Sequence, residues 1–451
     1  MRVRLESIGC RLNIGEIEAL ARQLAGRGFR IVGPGDDADL CVFNSCTVTA
    51  TASRKSRQFL RQLRRSAPDA TLVATGCYSE LSPSEVKALG VDLVIPNRDK
   101  DRIVELLDEA RLLRTDDASP DRVPPPHPDD PDSRTRAFVK VQDGCDNHCT
   151  FCVVTIARGP GRSRPPVDVV EEIEALIGLG HREVILSGVH LGSYGRDLGQ
   201  ASGLEHLIRR ILRETDIPRL RLSSLEPWDL EPSFFELFSD RRLMPHLHLP
   251  LQSGCEATLE RMARRTSQRE YGRLVAAARD AVPKISISTD VMVGFPGETD
   301  DEFTQSISFV REMEFSRLHV FRFSSREGTR AAAMADQVPG DVAQERSRRV
   351  IELGAHLEQT FNRRFVGQEM GVLWERGEIL GPHRRWTGLT DNYIRCATDT
   401  PTDVDLTNRV TDTRLIATIP GGFLGDVHGA SIPRLIQPDS ATGSRFTILN
   451  S

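Results

Sequence analysis

Strands and helices alternate along this chain in two blocks, and a segment rich in proline and aspartate separates them. In the first block, residues 1–112, apolar runs typical of strands are followed by helical stretches. The runs lie at residues 3–8, 39–43, 71–75 and 92–95. Strands that alternate with helices of about 10–15 residues predict a parallel sheet. Residues 113–133 contain too much proline and aspartate for a regular element, so we expect a linker there.

The second block, residues 134–363, repeats the alternation six times. Candidate strands lie at residues 137–142, 183–187, 219–224, 246–251, 285–293 and 317–323. Candidate helices lie at residues 167–179, 203–214, 232–239, 256–281 and 300–313. Six repeats are too few to close an eight-stranded barrel, so the pattern predicts an open, partial (β/α)6 barrel with functional loops at the carboxyl ends of its strands.

The last segment, residues 364–435, follows a long predicted helix at 342–364. It consists of short strand-like runs with glycine and proline turns, which predict a small β-barrel. The predicted fold class is therefore α/β: an N-terminal parallel-sheet unit, a partial (β/α)6 barrel and a small C-terminal β-barrel.

The composition is that of an ordinary globular protein, with 39% apolar and 27% charged residues among 451. No apolar stretch approaches ~20 residues and no secretion signal is recognisable, so we expect a cytoplasmic protein with no membrane partner. In that compartment nine cysteines indicate metal or redox chemistry more than disulfides. The net charge of −5 gives no sign of nucleic-acid binding, which would have to come from local patches.

Three closely spaced cysteines, Cys145, Cys149 and Cys152, follow the first strand of the predicted open barrel. We call them the triplet. Three thiolates on one short loop can hold a [4Fe–4S] cluster and leave one iron open for a substrate or cofactor. A zinc site is the alternative, but such sites usually complete four ligands nearby. His148 lies inside the loop and could serve as a fourth ligand. The spacing favours the cluster.

A second group of cysteines, Cys10, Cys46 and Cys77, is dispersed along the N-terminal block. We call it the dispersed set. Each member immediately follows a predicted strand, and the carboxyl ends of parallel strands meet at one edge, where ligands usually bind. The dispersed set therefore predicts a second cluster with an open iron. Cysteine is also a common small core residue, so spacing alone leaves both interpretations open.

The remaining cysteines and two histidines have simpler interpretations. Cys41 lies within an apolar run, and Cys255 and Cys396 lack partners at ligand spacing, so packing is expected for all three. His246 and His248 alternate on one strand. They could bind a metal as a pair, but hydrogen bonding inside a barrel is the favoured role.

With these residues in view, the chain resembles the radical SAM methylthiotransferase family, where SAM is S-adenosylmethionine. The resemblance covers nearly the whole chain and rests on the stretches GCRLN, NSCTVT, VKVQDGCDNHCTFC, ARGPGRSRP, LSGVHLGSYG, RLSSLEP, HLHLPLQSG, TDVMVGFPGET and FSSREGT. It implies an N-terminal methylthiotransferase domain with an auxiliary cluster, a radical SAM core and a C-terminal TRAM domain. Residues 153–156 depart from the family, reading Val-Val-Thr-Ile where an Ile-Pro-Tyr-like run is usual.

The resemblance also implies two [4Fe–4S] clusters and SAM as cofactors. The triplet would hold the cluster that binds the amino and carboxylate groups of SAM, and the dispersed set would hold the auxiliary cluster that carries sulfur. Ser187 and Gly188 are candidates for binding the methionine part of SAM. Ser224 and Gln252 are candidates for binding its adenosyl part.

The stretches GVHLGSYG, ARGPGRSR and GCRLN are most similar to the threonylcarbamoyladenosine branch of the family. That branch converts N6-threonylcarbamoyladenosine next to the tRNA anticodon (position 37) to its 2-methylthio derivative. Other branches modify N6-isopentenyladenosine in tRNA or an aspartate of a ribosomal protein. Reduction would come from a flavodoxin or a ferredoxin-like protein, and the sulfur source stays open. Alternatives of another class are a non-catalytic iron–sulfur RNA-binding protein and a zinc-stabilised RNA-binding scaffold.

Two basic regions are candidates for contacting RNA. One is the arginine-rich helical stretch at residues 54–65. The other is the segment 365–435, in which arginines accompany Trp386 and Tyr393. Aromatic rings beside basic groups suit stacking on bases and contact with phosphates. A charge-mixed solvated surface is the alternative for the second region, because its acidic residues nearly cancel its arginines.

Overall fold

The structure of the chain, a computed structural model, describes residues 1–113, 134–200 and 202–427. The predicted linker at 113–133, apart from residue 113, lies outside the described residues, as does the end of the predicted C-terminal barrel beyond residue 427. None of the helices in the described ranges combines the length and the apolar character needed to cross a membrane.

The N-terminal block forms a five-stranded sheet in the order β2-β1-β3-β4-β5, with every pairing parallel. Its strands are β1 Arg2–Ser7, β2 Arg30–Val32, β3 Leu40–Ser45, β4 Thr71–Gly76 and β5 Leu93–Val94. Its helices are α1 Arg11–Gly26, α2 Ala50–Ser66, α3 Cys77–Leu81, α4 Pro83–Ala88 and α5 Ile103–Glu109. The predicted parallel sheet is confirmed. The pattern missed only the edge strand β2, which is three residues long and not buried.

The second block is the predicted open barrel of six parallel strands. Its main strands are β6 Arg136–Lys140, β9 Glu183–Ser187, β10 Arg219–Leu222, β11 His246–His248, β12 Ser286–Val293 and β13 Arg317–Arg322, and the short pair is β7 Gln142–Asp143 with β8 Arg162–Ser163. Two arcs, β6-β9-β10 and β11-β12-β13, are joined by a parallel bridge between Ser224 and His248. The helices are α6 Val154–Arg158, α7 Pro166–Gly178, α8 Gly203–Glu214, α9 Glu256–Arg261, α10 Gln268–Ala281, α11 Asp300–Glu312 and α12 Gly340–Arg363.

The helix predicted at 256–281 is two helices, because the chain breaks between Arg261 and Gln268. Ala263 adopts a left-handed backbone conformation with φ 55°, and the new helix begins with a capping box. In that box the Ser267 hydroxyl accepts from the amide of Glu270, and the Glu270 carboxylate accepts from the amide of Ser267. The break lets Arg264 turn into the open barrel.

The C-terminal segment forms a closed barrel in the order β14-β15-β16-β18-β17. Its strands are β14 Glu369–Leu380, β15 His383–Thr390, β16 Arg395–Pro401, β17 Val410–Ile419 and β18 Gly422–Val427. The predicted small β-barrel is confirmed. The prediction that Trp386 offers a platform for RNA bases is wrong, because its ring is 1% exposed in the barrel core and its indole N–H donates to Thr400.

A buried ion cluster joins the open barrel to the C-terminal barrel. The fully buried carboxylate of Glu183 accepts from Arg219 Nε and Arg221 Nε, each at 2.8 Å. Arg219 also contacts the Asp391 carboxylate in the C-terminal barrel. Burial alone would raise the pKa of Glu183, but the guanidiniums of Arg221 and Arg219 hold it far below its usual value.

We therefore expect Glu183→Gln to destabilise the protein by about 3–5 kcal/mol, because two buried guanidiniums lose their shared counter-charge. The measurement is the thermal unfolding midpoint. Glu214→Gln is the matched control, since Glu214 pairs with Arg210 and Arg213 at the surface and its loss should leave the midpoint nearly unchanged. Equal shifts in the two variants would contradict the anchoring role of Glu183.

Candidate functional site

A cavity of about 700 Å3 lies inside the open barrel and reaches both neighbouring parts of the chain. Its size is in the range of pockets that hold small molecules and cofactors. Residues from all three parts line it, among them Cys10, Cys46 and Cys77 of the dispersed set, Ser187, Gly188, Ser223 and Ser224 at the ends of β9 and β10, His246, His248 and His319 inside the barrel, and Tyr393 of the C-terminal barrel.

The structure brings the dispersed set together at one edge of the N-terminal sheet, as the strand pattern predicts. Cys10 lies beyond the end of β1, Cys46 directly follows β3 and Cys77 directly follows β4. Glycine is required beside them. Gly9 has φ +121°, and a Cβ there would lie 2.8 Å from the Cys46 sulfur. Gly76 has φ +97°, and a Cβ would lie 2.3 Å from a backbone oxygen.

The triplet loop is also shaped by a glycine. Gly144 has φ +73°, and a Cβ there would lie 1.9 Å from the carbonyl oxygen of Pro160, so the loop packs directly on the segment after α6. The amide of Cys145 donates to the carbonyl of Gly159 at 3.0 Å. The three thiols are partly buried, whereas His148 is exposed.

Burial raises the pKa of the Cys46 and Cys152 thiols to about 11 each, and it also raises the pKa of Cys149. Without a metal these thiols are protonated at neutral pH. Thiolate is the ligand form, so metal binding at either set must release protons.

Two cations lie against the triplet. His190 Nε2 is 2.5 Å from Asp229, and although burial would lower its pKa, hydrogen bonds with Asp229 and Cys145 raise it to about 9. Arg264 Nη1 lies 3.9 Å from the Cys149 sulfur and pairs with Glu226. Neither residue is predicted from the sequence as part of the site. The only signal for His190 was its place in a glycine-rich loop after a strand, and Arg264 sits in a break that the helical pattern concealed.

The two cysteine sets suit iron–sulfur clusters in their chemistry, because each supplies three free thiols at strand ends with cations nearby. In the described ranges no three His, Cys, Asp or Glu side chains converge closely enough to hold one metal ion. A cubane distributes its three thiolates over three different irons, so its ligands need not converge on one point.

Three of the four predicted SAM-binding residues, Ser187, Gly188 and Ser224, line the cavity. Gln252, the fourth, is not among the described residues of the lining. Its backbone bonds to Asp290 and Met292 hold it against β12. Inside the barrel, His246 and His248 both lie within hydrogen-bonding distance of the Ser288 hydroxyl, at 3.2 and 3.0 Å.

Tyr393 of the C-terminal barrel lines the cavity beside Arg136 and His246, the first residues of β6 and β11. Its hydroxyl accepts from Arg11 at 2.7 Å and from Arg136 at 3.1 Å, and its ring lies 4.5 Å from that of His246. The guanidinium of Arg221 lies over the same ring. The prediction that Tyr393 stacks on RNA bases does not fit this position, because the ring packs into the protein.

Comparison with known protein families gives two matches. Residues 139–310 match the Radical SAM superfamily, and residues 2–96 match Uncharacterized protein family UPF0004. The second range contains the dispersed set and the first contains the triplet.

Relatives with similar sequences extend over most of the chain. The threonylcarbamoyladenosine tRNA methylthiotransferase MtaB of Bacillus subtilis (strain 168) is 34% identical, over 87% of this chain and 89% of that protein. The protein of the same name from Thermotoga maritima is 36% identical over 87% and 90%. The tRNA-2-methylthio-N(6)-dimethylallyladenosine synthase of Thermobifida fusca (strain YX) is 33% identical over 87% and 82%.

Among solved structures, the radical S-adenosylmethionine methyltransferase TsrM from Kitasatospora setae, with cobalamin and a [4Fe-4S] cluster bound, superimposes with a TM-score of 0.55. The match covers 73% of this chain and 77% of that chain at 16% identity. At this identity the likeness supports the fold alone.

Proposed function

Because the chain belongs to the radical SAM tRNA methylthiotransferase family, we propose that it converts N6-threonylcarbamoyladenosine beside the tRNA anticodon to its 2-methylthio derivative. The observation that carries this proposal is a cavity lined both by the dispersed set and by three of the four predicted SAM-binding residues, Ser187, Gly188 and Ser224. The names of the relatives from B. subtilis and T. maritima support the choice of nucleoside. Methylthiolation of N6-isopentenyladenosine is the second candidate, supported by the relative from T. fusca.

Membership of the radical SAM superfamily implies SAM and a [4Fe–4S] cluster. We assign the cluster to Cys145, Cys149 and Cys152. Bound together, these cofactors supply the radical chemistry that an unactivated adenine C–H requires and that no side-chain acid or base provides. Near them, His190 and Arg264 place positive charge beside the thiolates.

In the same proposal Ser187 and Gly188 bind the methionine part of SAM, and Ser224 and Gln252 bind its adenosyl part. Cys10, Cys46 and Cys77 hold a second [4Fe–4S] cluster that carries the sulfur. Their place in the wall of the cavity supports this role, because a group held there faces the space in which the nucleoside would lie.

The proposed division of the chain is a methylthiotransferase domain at 1–112, a linker at 113–133, a radical SAM core at 134–363 and a TRAM domain at 364–435. The described strands and helices support the first, third and fourth up to residue 427. We place the reaction in the cytoplasm, with tRNA as substrate and a flavodoxin or ferredoxin-like protein as electron donor.

Helix α2 is the surface that we assign to tRNA. Arg54, Lys55, Arg61 and Arg65 are exposed on it. Its buried face contacts the dispersed set, because the Ser56 hydroxyl donates to the carbonyl of Cys46 at 2.8 Å. A basic helix packed on the loop that contains Cys46 can bind RNA phosphates beside the cavity that Cys46 lines.

The substrate is tested by mass spectrometry of tRNA nucleosides from a strain lacking the gene, before and after complementation. We expect 2-methylthio-N6-threonylcarbamoyladenosine to disappear and return, with N6-threonylcarbamoyladenosine accumulating in the deletion. Loss of the isopentenyl product instead would refute the choice of nucleoside. Unchanged tRNA with loss of a modified ribosomal protein would refute the tRNA assignment.

Substitutions in the two cysteine sets should affect different steps of the reaction. Cys149→Ala is expected to abolish the formation of 5′-deoxyadenosine from SAM, whereas Cys46→Ala spares it and stops methylthiolation. Wild-type protein purified without oxygen should hold about eight irons per chain. Full methylthiolation by Cys46→Ala would refute the second cluster. Tight zinc without iron would favour a zinc-stabilised scaffold, and iron without SAM cleavage would favour a non-catalytic RNA-binding protein.

The role of α2 is tested by the double variant Arg54→Glu/Arg61→Glu, which reverses two charges on one helix face. We expect weaker tRNA binding and a shallower dependence of log K on log salt, with the slope reduced by about 1 for each phosphate that the helix no longer binds. Arg209→Glu, on the exposed face of α8, is the control. The same slope in the double variant and the wild type would contradict the assignment.

A further inference from the structure

The N-terminal sheet is attached to the open barrel by a cluster of buried charges centred on Glu16 of α1. Its carboxylate contacts Lys100 Nζ at 2.6 Å and Arg158 Nη1 at 2.9 Å, and Lys140 at 3.6 Å. Arg158 and Lys140 also pair with Asp143, at 2.9 and 3.5 Å. Each of these five side chains is at most 10% exposed.

Within this cluster Arg158 contacts the loops of both cysteine sets. On one side its Nη2 donates to Asn13 Oδ1 at 2.8 Å. Asn13 Oδ1 also lies 3.7 Å from the Cys10 sulfur, and Asn13 Nδ2 donates to Ile8 and Ser45, which flank the dispersed set. On this side, therefore, one guanidinium fixes the amide that orients the Cys10 loop.

On the other side, Arg158 Nη1 donates to Asp143 Oδ1 at 2.9 Å. The same oxygen accepts the amide of Gly144 at 2.8 Å, one residue before Cys145. Helix packing also connects the two sets. Helix α3, which begins at Cys77, packs against α6, which ends at Arg158.

The group of buried charges around Glu16 contains more positive than negative charge. Three cations, Arg158, Lys100 and Lys140, face two buried carboxylates, Glu16 and Asp143. A third carboxylate, on Asp101, pairs with Lys140 but is 67% exposed and well solvated. Arg158 lies within electrostatic range of Cys46 and Cys77. The excess positive charge is therefore placed where thiolates would bear negative charge.

We propose that Arg158 is a positioning residue shared by the two cysteine sets, which orients both loops through Asn13 and Asp143 and supplies positive charge to a cluster held by the dispersed set. The inference rests on the proposed second cluster. It predicts that removal of one side chain weakens both sites, although they lie on different parts of the chain. Residues beyond the ligands typically change metal affinity by ~10- to 100-fold, and the charge and hydrogen bonds around the sulfurs tune the reduction potential.

The test measures each site in isolation. In a chain with the triplet changed to alanine, Arg158→Gln is expected to speed iron loss to a chelator by ~10-fold or more and to shift the midpoint potential to more negative values. The potential falls because an electron enters less easily once a nearby positive charge is removed. In the reciprocal chain, with the dispersed set changed to alanine, Arg158→Gln should also speed iron loss, because Asp143 loses the shorter of its two ion pairs, the one made by the oxygen that accepts from Gly144, and keeps only Lys140.

Two further variants separate this role from general destabilisation. Arg158→Lys keeps the charge but cannot hold Asn13, Glu16 and Asp143 together, so iron should be lost faster while the potential stays near that of the wild type. If Arg158→Gln does not fold, the rate of iron loss from Arg158→Lys tests the role of Arg158 instead. Arg346→Gln removes a buried arginine that pairs with Glu298, outside both cysteine loops, and should leave both iron sites unchanged.

The outcomes distinguish this inference from the proposed function. If the parent chain without the triplet binds no cluster, the second cluster is wrong and the inference fails with it. If it binds the cluster and Arg158→Gln changes neither iron loss nor potential, the proposed function stands and the inference alone is refuted. Equal iron loss in Arg346→Gln would also refute it, since the effect would then be one of fold stability.

Discussion

Charges buried between parts of a protein are costly unless they are paired, and both junctions of this chain depend on such pairs. Glu183 holds two arginines at the junction with the C-terminal barrel. Glu16 holds Lys100 and Arg158 at the junction with the N-terminal sheet. Glu16 contacts cations from two different parts of the chain, and the arginines that Glu183 holds contact Asp391 of the C-terminal barrel, so paired charges link neighbouring parts at both junctions. Paired charges thus connect the three parts whose residues line the cavity.

The same arrangement addresses a difficulty of the chemistry. In the proposed function both cysteine sets bind metal as thiolates, yet burial of Cys46, Cys149 and Cys152 disfavours that form. The structure places guanidinium or imidazolium groups beside both groups, through Arg264 and His190 at the triplet and Arg158 at the dispersed set. These cations are buried and paired with Glu226, Asp229 and Glu16. A thiolate gains their positive potential while each of these three cations keeps a carboxylate partner.

The sequence predicted the fold well because strand and helix periods are local. The parallel sheet, the open barrel and the closed C-terminal barrel all appear where the pattern indicates, and the cysteines lie at strand ends because parallel strands share one edge. The features that the sequence did not predict depend on tertiary contacts. Trp386 looked like an RNA platform, but the aromatic content of a short segment does not reveal which ring fills the barrel core. Arg264 and Arg158 depend on contacts between distant segments, which no spacing in one sequence encodes.

Tyr393 has a consequence for how such a chain can be rearranged. Its hydroxyl accepts from Arg11, the residue after Cys10, and from Arg136, on the first strand of the open barrel, while Arg221 lies over its ring. The C-terminal barrel is thus the third wall of a chamber and not an appendage. A truncated chain, or a chimera that carries the barrel of a relative, would have to find another acceptor for two guanidiniums. The C-terminal barrel is a separate segment of the sequence, but in this fold it cannot be exchanged without replacing the contacts that Tyr393 makes.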